Sequence, residues 1–115
     1  MSDTCIFCKI INKETKADIL YEDEKVTAFK DINPQAPVHI VIVTNKHITN
    51  VMGVGKEDSE FVWSLWNAVQ HIVKNKKIDS QGFRIVVNCG VYGGQEVDHL
   101  HLHVLGGRQM MWPPG

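Results

Sequence analysis

Residues 99–105 read HLHLHVL, placing three of the chain's six histidines one apart between aliphatic residues. Strict alternation is the period of a β-strand, so His99, His101 and His103 would share one face and Leu100, Leu102 and Val104 the other. The fold must therefore contain a sheet with two unlike sides. One is apolar and needs a partner layer; the other carries a row of imidazoles roughly 7 Å apart along the strand. Read as mere packing, the row would bury several polar groups that each need a partner. Two chemistries suit it better: ligation of a transition metal, or attack of one neutral imidazole on phosphorus while its neighbours orient it and neutralise charge. The preceding Gly93-Gly94-Gln95 favours the second. Glycines let backbone N–H groups approach an anion, and Gln95 offers a side-chain donor.

The layer for the apolar side lies upstream. From Lys56 onwards, Phe61, Leu65, Ala68, Val69, Ile72 and Val73 fall on one face of a long helix, with Trp63 and Trp66 beside it for core or interface. Residues 5–14 (CIFCKIINKE) have the apolar spacing of a short helix. Residues 19–21 and 26–29 read as strands joined by the polar turn Glu22-Asp23-Glu24, and Pro34 and Pro37 mark an irregular connection. Residues 38–47 (VHIVIVTNKH) are β-branched and nearly continuously apolar, as in a strand covered on both faces. FRIVVN (83–88) is the next strand, CGVYGGQEVD a glycine-rich loop, and HLHLHVL the last strand. About five strands mostly joined by hairpins, with two helices, make one antiparallel α+β domain spanning residues 1–115.

Charge and cysteine content narrow the partners. A net charge of -1 argues against binding nucleic acid through its backbone. Lys74, Lys76 and Lys77 fall at the expected helix C-terminus, where they favour the dipole. No apolar run approaches the roughly 20 residues of a membrane span, and the N-terminus lacks a secretory pattern. The expected location is cytoplasmic, with the nucleus also open to the protein. Three cysteines cannot all pair. Cys5 and Cys8 form a C-x-x-C, suggesting metal binding or redox chemistry, with unligated packing as the alternative; Cys89 reads as a buried thiol.

HLHLHVL matches the H-φ-H-φ-H-φ-φ signature of the histidine triad superfamily. AFKDINPQAPVHIVIV, FRIVVN, GGQEVDHLHLHVLGGRQM and the terminal WPPG are similar to its Hint branch, the histidine triad nucleotide-binding proteins. The resemblance implies a homodimer of α+β subunits, each with a five-stranded antiparallel sheet, one long and one short helix. It implies hydrolysis of purine nucleoside 5′-phosphoramidates such as AMP joined to lysine, the alternatives being a dinucleoside polyphosphate hydrolase or a nucleotide-binding scaffold. By motif match, His101 is the nucleophile, His103 a phosphate contact that assists the leaving amine, and His39 their support. Asp31 matches the carboxylate on the ribose hydroxyls, with Ile32 beside the nucleoside; Phe7 and Phe29 help enclose the base. Asn88, Gly94, Gln95 and Glu96 match phosphate-side positions, and Trp112 lies in a tail that in relatives reaches the partner subunit's site. The resemblance also implies a structural zinc on Cys5, Cys8, His47 and His99, with no metal needed for the chemistry. Two positions depart from the pattern. Glu96 stands where some relatives carry serine, and Asp98 where an aromatic residue is common.

Overall fold

The apolar segment expected at 38–47 is the centre of the molecule. In a computed structural model describing residues 4–115, it forms β3 (Val38–Thr44), buried along nearly its whole length. Antiparallel neighbours lie on both sides: β2 (Val26–Lys30), then edge strand β1 (Ile19–Glu22) on one, and β5 (His101–Gly106), then edge strand β4 (Phe83–Val86) on the other. The sheet order is thus β1-β2-β3-β5-β4, five strands, all pairs antiparallel. A strand with a neighbour layer on each face can afford no polar side, which is why β3 lacks the alternation of β5.

One face packs against α2 (Ser59–Asn75). Leu65, Ala68, Val69, Ile72 and Val73 of that helix meet Val26, Ala28, Ile40, Ile42, Leu102 and Val104 of the sheet and Leu100 just before β5. Phe61 is only half-buried, and Trp63 and Trp66 lie outside the core at 59% and 43% exposure. The helix is led in by two short 3-10 turns, Val51–Gly53 and Lys56–Asp58. Buried Asp58 there accepts from Gly55 N–H at 2.9 Å and from Lys46 Nζ at 2.5 Å, pinning the helix entry to the end of β3. The other face is covered by α1 (Ile6–Ile11), whose Phe7 and Ile10 pack on Phe29, Val41 and Val43.

Element ends are shorter than the sequence suggests. The last strand begins at His101, because Leu100 N–H turns away to the Ile48 carbonyl at 2.6 Å. The strand expected to reach Asn88 ends at Val86. Among the described residues, no helix is long and apolar enough to cross a membrane.

Candidate active site

Register sets the site. β3 and β5 pair Val43 with His101, Val41 with His103 and His39 with Leu105. Opposed residues share a face, so His101 and His103 lie on the α1 side beside His39 of the neighbouring strand. The rings form a continuous row. His47 and His99 centroids are 4.7 Å apart, Phe7 stands edge-on to His99 and His101 at 5.9 and 5.0 Å, and His103 is 5.0 Å from His101 and 5.1 Å from His39.

Hydrogen bonds assign the tautomers. His101 Nδ1 lies 2.6 Å from the His99 carbonyl, which can only accept, so Nδ1 carries the hydrogen and Nε2 presents a lone pair. His39 Nδ1 accepts from Gln35 N–H at 3.0 Å, so its hydrogen is on Nε2. That N–H faces His103 Nδ1 at 2.9 Å and Asp31 Oδ2 at 3.3 Å. His103 Nδ1 is then an acceptor, leaving its Nε2–H as a donor. One strand therefore presents a nucleophilic nitrogen and, two residues on, a hydrogen-bond donor. Burial, as the leading cause, holds His101 and His39 below the ordinary imidazole range; the His99 carbonyl and then Asp31 partly oppose it at His101, and Asp31 does so at His39. His103 is pushed down to about 4 by burial and by neighbouring His101 and His39. All three are neutral at pH 7, as nucleophilic attack requires.

These side chains open into a cleft of about 300 Å³ lined by Asp31, Asn33, Gln35, His39, Asn88, Gly94, Glu96, Val97, His101 and His103. No lysine or arginine is among them, whereas two carboxylates are. Of the residues expected at the nucleotide, Asp31, Asn88, Gly94 and Glu96 line this cleft together with the histidines. Phe7 and Phe29 are buried against each other beneath it, with centroids 5.5 Å apart. Ile32 stands 99% exposed on the Asp31 loop and outside the lining, and Trp112 is 81% exposed. Asp31 uses one oxygen to accept Asn33 N–H at 2.8 Å and turns the other to the histidines.

The loop works differently from the sequence reading. Gln95 is not a free donor: its Nε2 donates to Thr49 and Val97 carbonyls at 2.8 and 3.0 Å, and its Oε1 accepts Gly90 N–H at 2.9 Å. The amides of Gly94 and Gln95 close turns onto Val91 and Gly90 carbonyls. Gly94 has φ +78°, which favours glycine, and a Cβ on Gly93 would collide with the Cys89 carbonyl. The glycines shape the turn, and Glu96 N–H, on the cleft wall, meets no acceptor among the described residues.

Next to the cleft, Cys5, Cys8, His47 and His99 bring their donor atoms within 4.8 Å of one another. Cys8 Sγ lies 3.2 Å from His47 Nδ1, and His99 Nδ1 lies 3.3 and 3.6 Å from Cys5 and Cys8 Sγ. Such spacings match the edges of a tetrahedron with bonds of roughly 2.0–2.3 Å. His99 Nε2 donates to the Thr44 carbonyl at 2.6 Å, which leaves Nδ1 as the lone pair facing the thiols. This donor set fits a metal ion. Asp31, His39 and His103 are also close together. There Gln35 N–H occupies the His39 Nδ1 lone pair and keeps Nε2 protonated, so that trio is a hydrogen-bonded support and not a ligand set.

Gln35 N–H and the Thr44 and His99 carbonyls are the functional groups that sequence reasoning missed. They are backbone atoms, and no side-chain pattern signals them.

Comparison with known proteins agrees with this geometry. The family model described as "Scavenger mRNA decapping enzyme C-term binding" matches residues 4–112. An uncharacterized HIT-like protein of Buchnera aphidicola is 43% identical over 110 residues, covering 96% of each chain. The crystal structure of a HIT family hydrolase from Legionella pneumophila superposes with a TM-score of 0.95 at 44% identity, over 97% of this chain and 100% of that one. A histidine triad nucleotide-binding protein from Candida albicans gives a TM-score of 0.83 at 29% identity, over 96% of this chain and 83% of its own. With its sheet, its histidine row and these relatives in agreement, the chain belongs to the histidine triad (HIT) superfamily.

Proposed function

We infer that this HIT hydrolase cleaves the P–N bond of purine nucleoside 5′-phosphoramidates, releasing a nucleoside monophosphate and an amine. The observation that carries the reading is the His101 tautomer: its Nδ1–H is held by the His99 carbonyl at 2.6 Å, aiming a neutral Nε2 lone pair at the cleft side. Nε2 attacks phosphorus, the P–N bond breaks, and the departing nitrogen takes a proton from solvent. The positive charge on the nucleotidyl-imidazole is shared with the His99 carbonyl through Nδ1–H. Water then attacks phosphorus, the P–Nε2 bond breaks, and the proton borrowed in the first step returns to solvent. His103 Nε2–H, the Asn88 amide and Glu96 N–H are the donors on hand for the phosphoryl oxygens.

The charges of the cleft favour phosphoramidates over polyphosphates. A phosphoramidate brings one negative charge, and neutral donors suffice for it. A dinucleoside polyphosphate brings several, against Asp31 and Glu96 and no fixed cation. The decisive experiment is turnover of an AMP-amine beside a diadenosine polyphosphate. The AMP-amine is the better substrate on this reading, and His101→Ala still binds AMP while losing turnover by orders of magnitude. Preference for the polyphosphate, or near wild-type kcat in His101→Ala, refutes it. Partners captured equally by wild type and His101→Ala would favour a scaffold instead.

The metal read into the Cys5, Cys8, His47 and His99 group is zinc, which when bound would cross-link the start of α1 to the strand ends behind the nucleophile. The assembly is a homodimer. β4 leaves one sheet edge unpaired, with Phe83 and Val87 37% and 41% exposed, as an edge covered by a second copy would be. Light scattering at low micromolar concentration checks this, and a monomer mass refutes it.

A further inference from the structure

Past His101, the cleft wall formed by Glu96 and Val97 is shared with a second cavity of about 370 Å³, lined also by Thr4, Cys5, Ile6, His47 and Asp98. The two spaces thus adjoin at Glu96 and Val97, the two residues that line both. Neither is lined by a lysine or arginine, and the second carries the carboxylates of Glu96 and Asp98. Glu96 makes no hydrogen bond or ion pair within the described chain, unlike Asp31, Asp23 and Asp58, whose oxygens are engaged. The residues on either side of it are nonetheless braced. Gln95 beside it makes three side-chain hydrogen bonds, one of them to Val97 on its other side. An exposed, unpartnered carboxylate on the wall between a nucleophile and an adjoining cavity is placed to read what leaves the phosphorus.

We propose that Glu96 is a specificity-determining residue that selects leaving amines bearing a second, positively charged group, which occupies the cavity beyond it. The proposal rests on the phosphoramidase reading and deepens it, from the bond broken to the class of amine released. The role is recognition: Glu96 attracts a fixed ammonium or guanidinium on the leaving group and repels an anionic one. The cavity is open to solvent, so the attraction is that of a partly screened ion pair. At about 1 kcal/mol it amounts to about a fivefold preference that fades as salt rises.

The test uses two substrates, AMP joined through nitrogen to a linear diamine with a free terminal ammonium, and AMP joined to the matching amino alcohol. The readout is the ratio of their kcat/KM values within each protein, so general damage to activity cancels. Wild type is expected to favour the ammonium substrate about fivefold at low salt, Glu96→Gln to bring the ratio near one, and Glu96→Asp to retain a preference. A wild-type ratio of one, or an unchanged ratio in Glu96→Gln, overturns the role of Glu96 while leaving phosphoramidase activity standing. Failure of wild type to cleave either substrate overturns both readings.

Discussion

Lowering the pH should unfold this protein partly through His103, and the structure gives the size of that effect. In the unfolded chain its imidazole titrates near 6.5, whereas in the fold it is pushed down to about 4. Its side chain is 21% exposed and faces His39 Nε2–H at 2.9 Å, His101 at 5.0 Å between centroids, and Asp31 at 3.9 Å. Burial and the two histidines oppose a positive charge more than the carboxylate favours it. Between those two pKa values the unfolded state binds the additional proton, so stability falls as pH falls. The contribution is fully present above 6.5 and is lost progressively on approach to 4. At 1.36 kcal/mol per pKa unit it comes to about 3 kcal/mol, a large share of the roughly 5–15 kcal/mol of a typical domain. Urea unfolding of wild type and His103→Asn from pH 7.5 to 4.5 measures it. The asparagine Oδ1 stands near the position of Nδ1 and can accept from His39, but it does not titrate. His99, also pushed down to about 4, is present in both proteins and cancels in the difference. Wild type should lose about 2–3 kcal/mol more than His103→Asn over this range. A stability difference between the two that stays constant with pH would refute the argument, since it would mean that His103 protonates equally readily in both states.

Metal analysis of protein purified without chelator should find near one zinc per chain, lost in Cys5→Ser/Cys8→Ser together with a fall in melting temperature; metal-free wild type would contradict the ligand set. Leu102→Ala, on the buried face of β5 at 3% exposure, should cost about 3 kcal/mol in urea unfolding, from lost burial and the cavity left under α2. Gly93→Ala should lower stability by about 1–3 kcal/mol, because the new methyl meets backbone atoms of Cys89 that have little room to move; an unchanged unfolding midpoint would show that the turn yields freely. Gln95→Leu should lower kcat/KM for an AMP-amine while leaving the fold intact by circular dichroism, since it removes the three hydrogen bonds holding the Glu96 wall.

Much of this architecture is legible in the residues because burial imposes periodicity. The α2 stripe at Leu65, Ala68, Val69, Ile72 and Val73 is buried as its spacing requires, and β3 is covered on both faces as its unbroken apolar run requires. The shared side of the histidines follows from alternation alone. Strand ends are less legible, because they depend on where a backbone N–H finds an acceptor. Leu100 turns to Ile48, a contact between residues distant in sequence that no local pattern announces. The glycine loop misleads for a related reason. Its sequence resembles a cradle of free amides, but Gly94 and Gln95 close their own turns, and the Gln95 side chain braces the loop instead of reaching out.

The histidine row shows how one repeated residue acquires separate chemistry. All three triad imidazoles are mostly or wholly removed from solvent, so each must satisfy its nitrogens within the protein or at the cleft. What differs is which nitrogen meets a carbonyl. For His99 it is Nε2, on Thr44, so Nδ1 turns to the cysteines and becomes a ligand. For His101 it is Nδ1, on His99, so Nε2 is left as the nucleophile. For His103 it is neither, and a neighbouring N–H from His39 fills Nδ1 and leaves Nε2–H to donate. The strand period brings the rings to one side, and hydrogen-bond partners two residues away or on the next strand divide the work among them. Exchanging the carbonyl contacts of His99 and His101 would exchange which nitrogen each ring leaves free, without changing a single side chain.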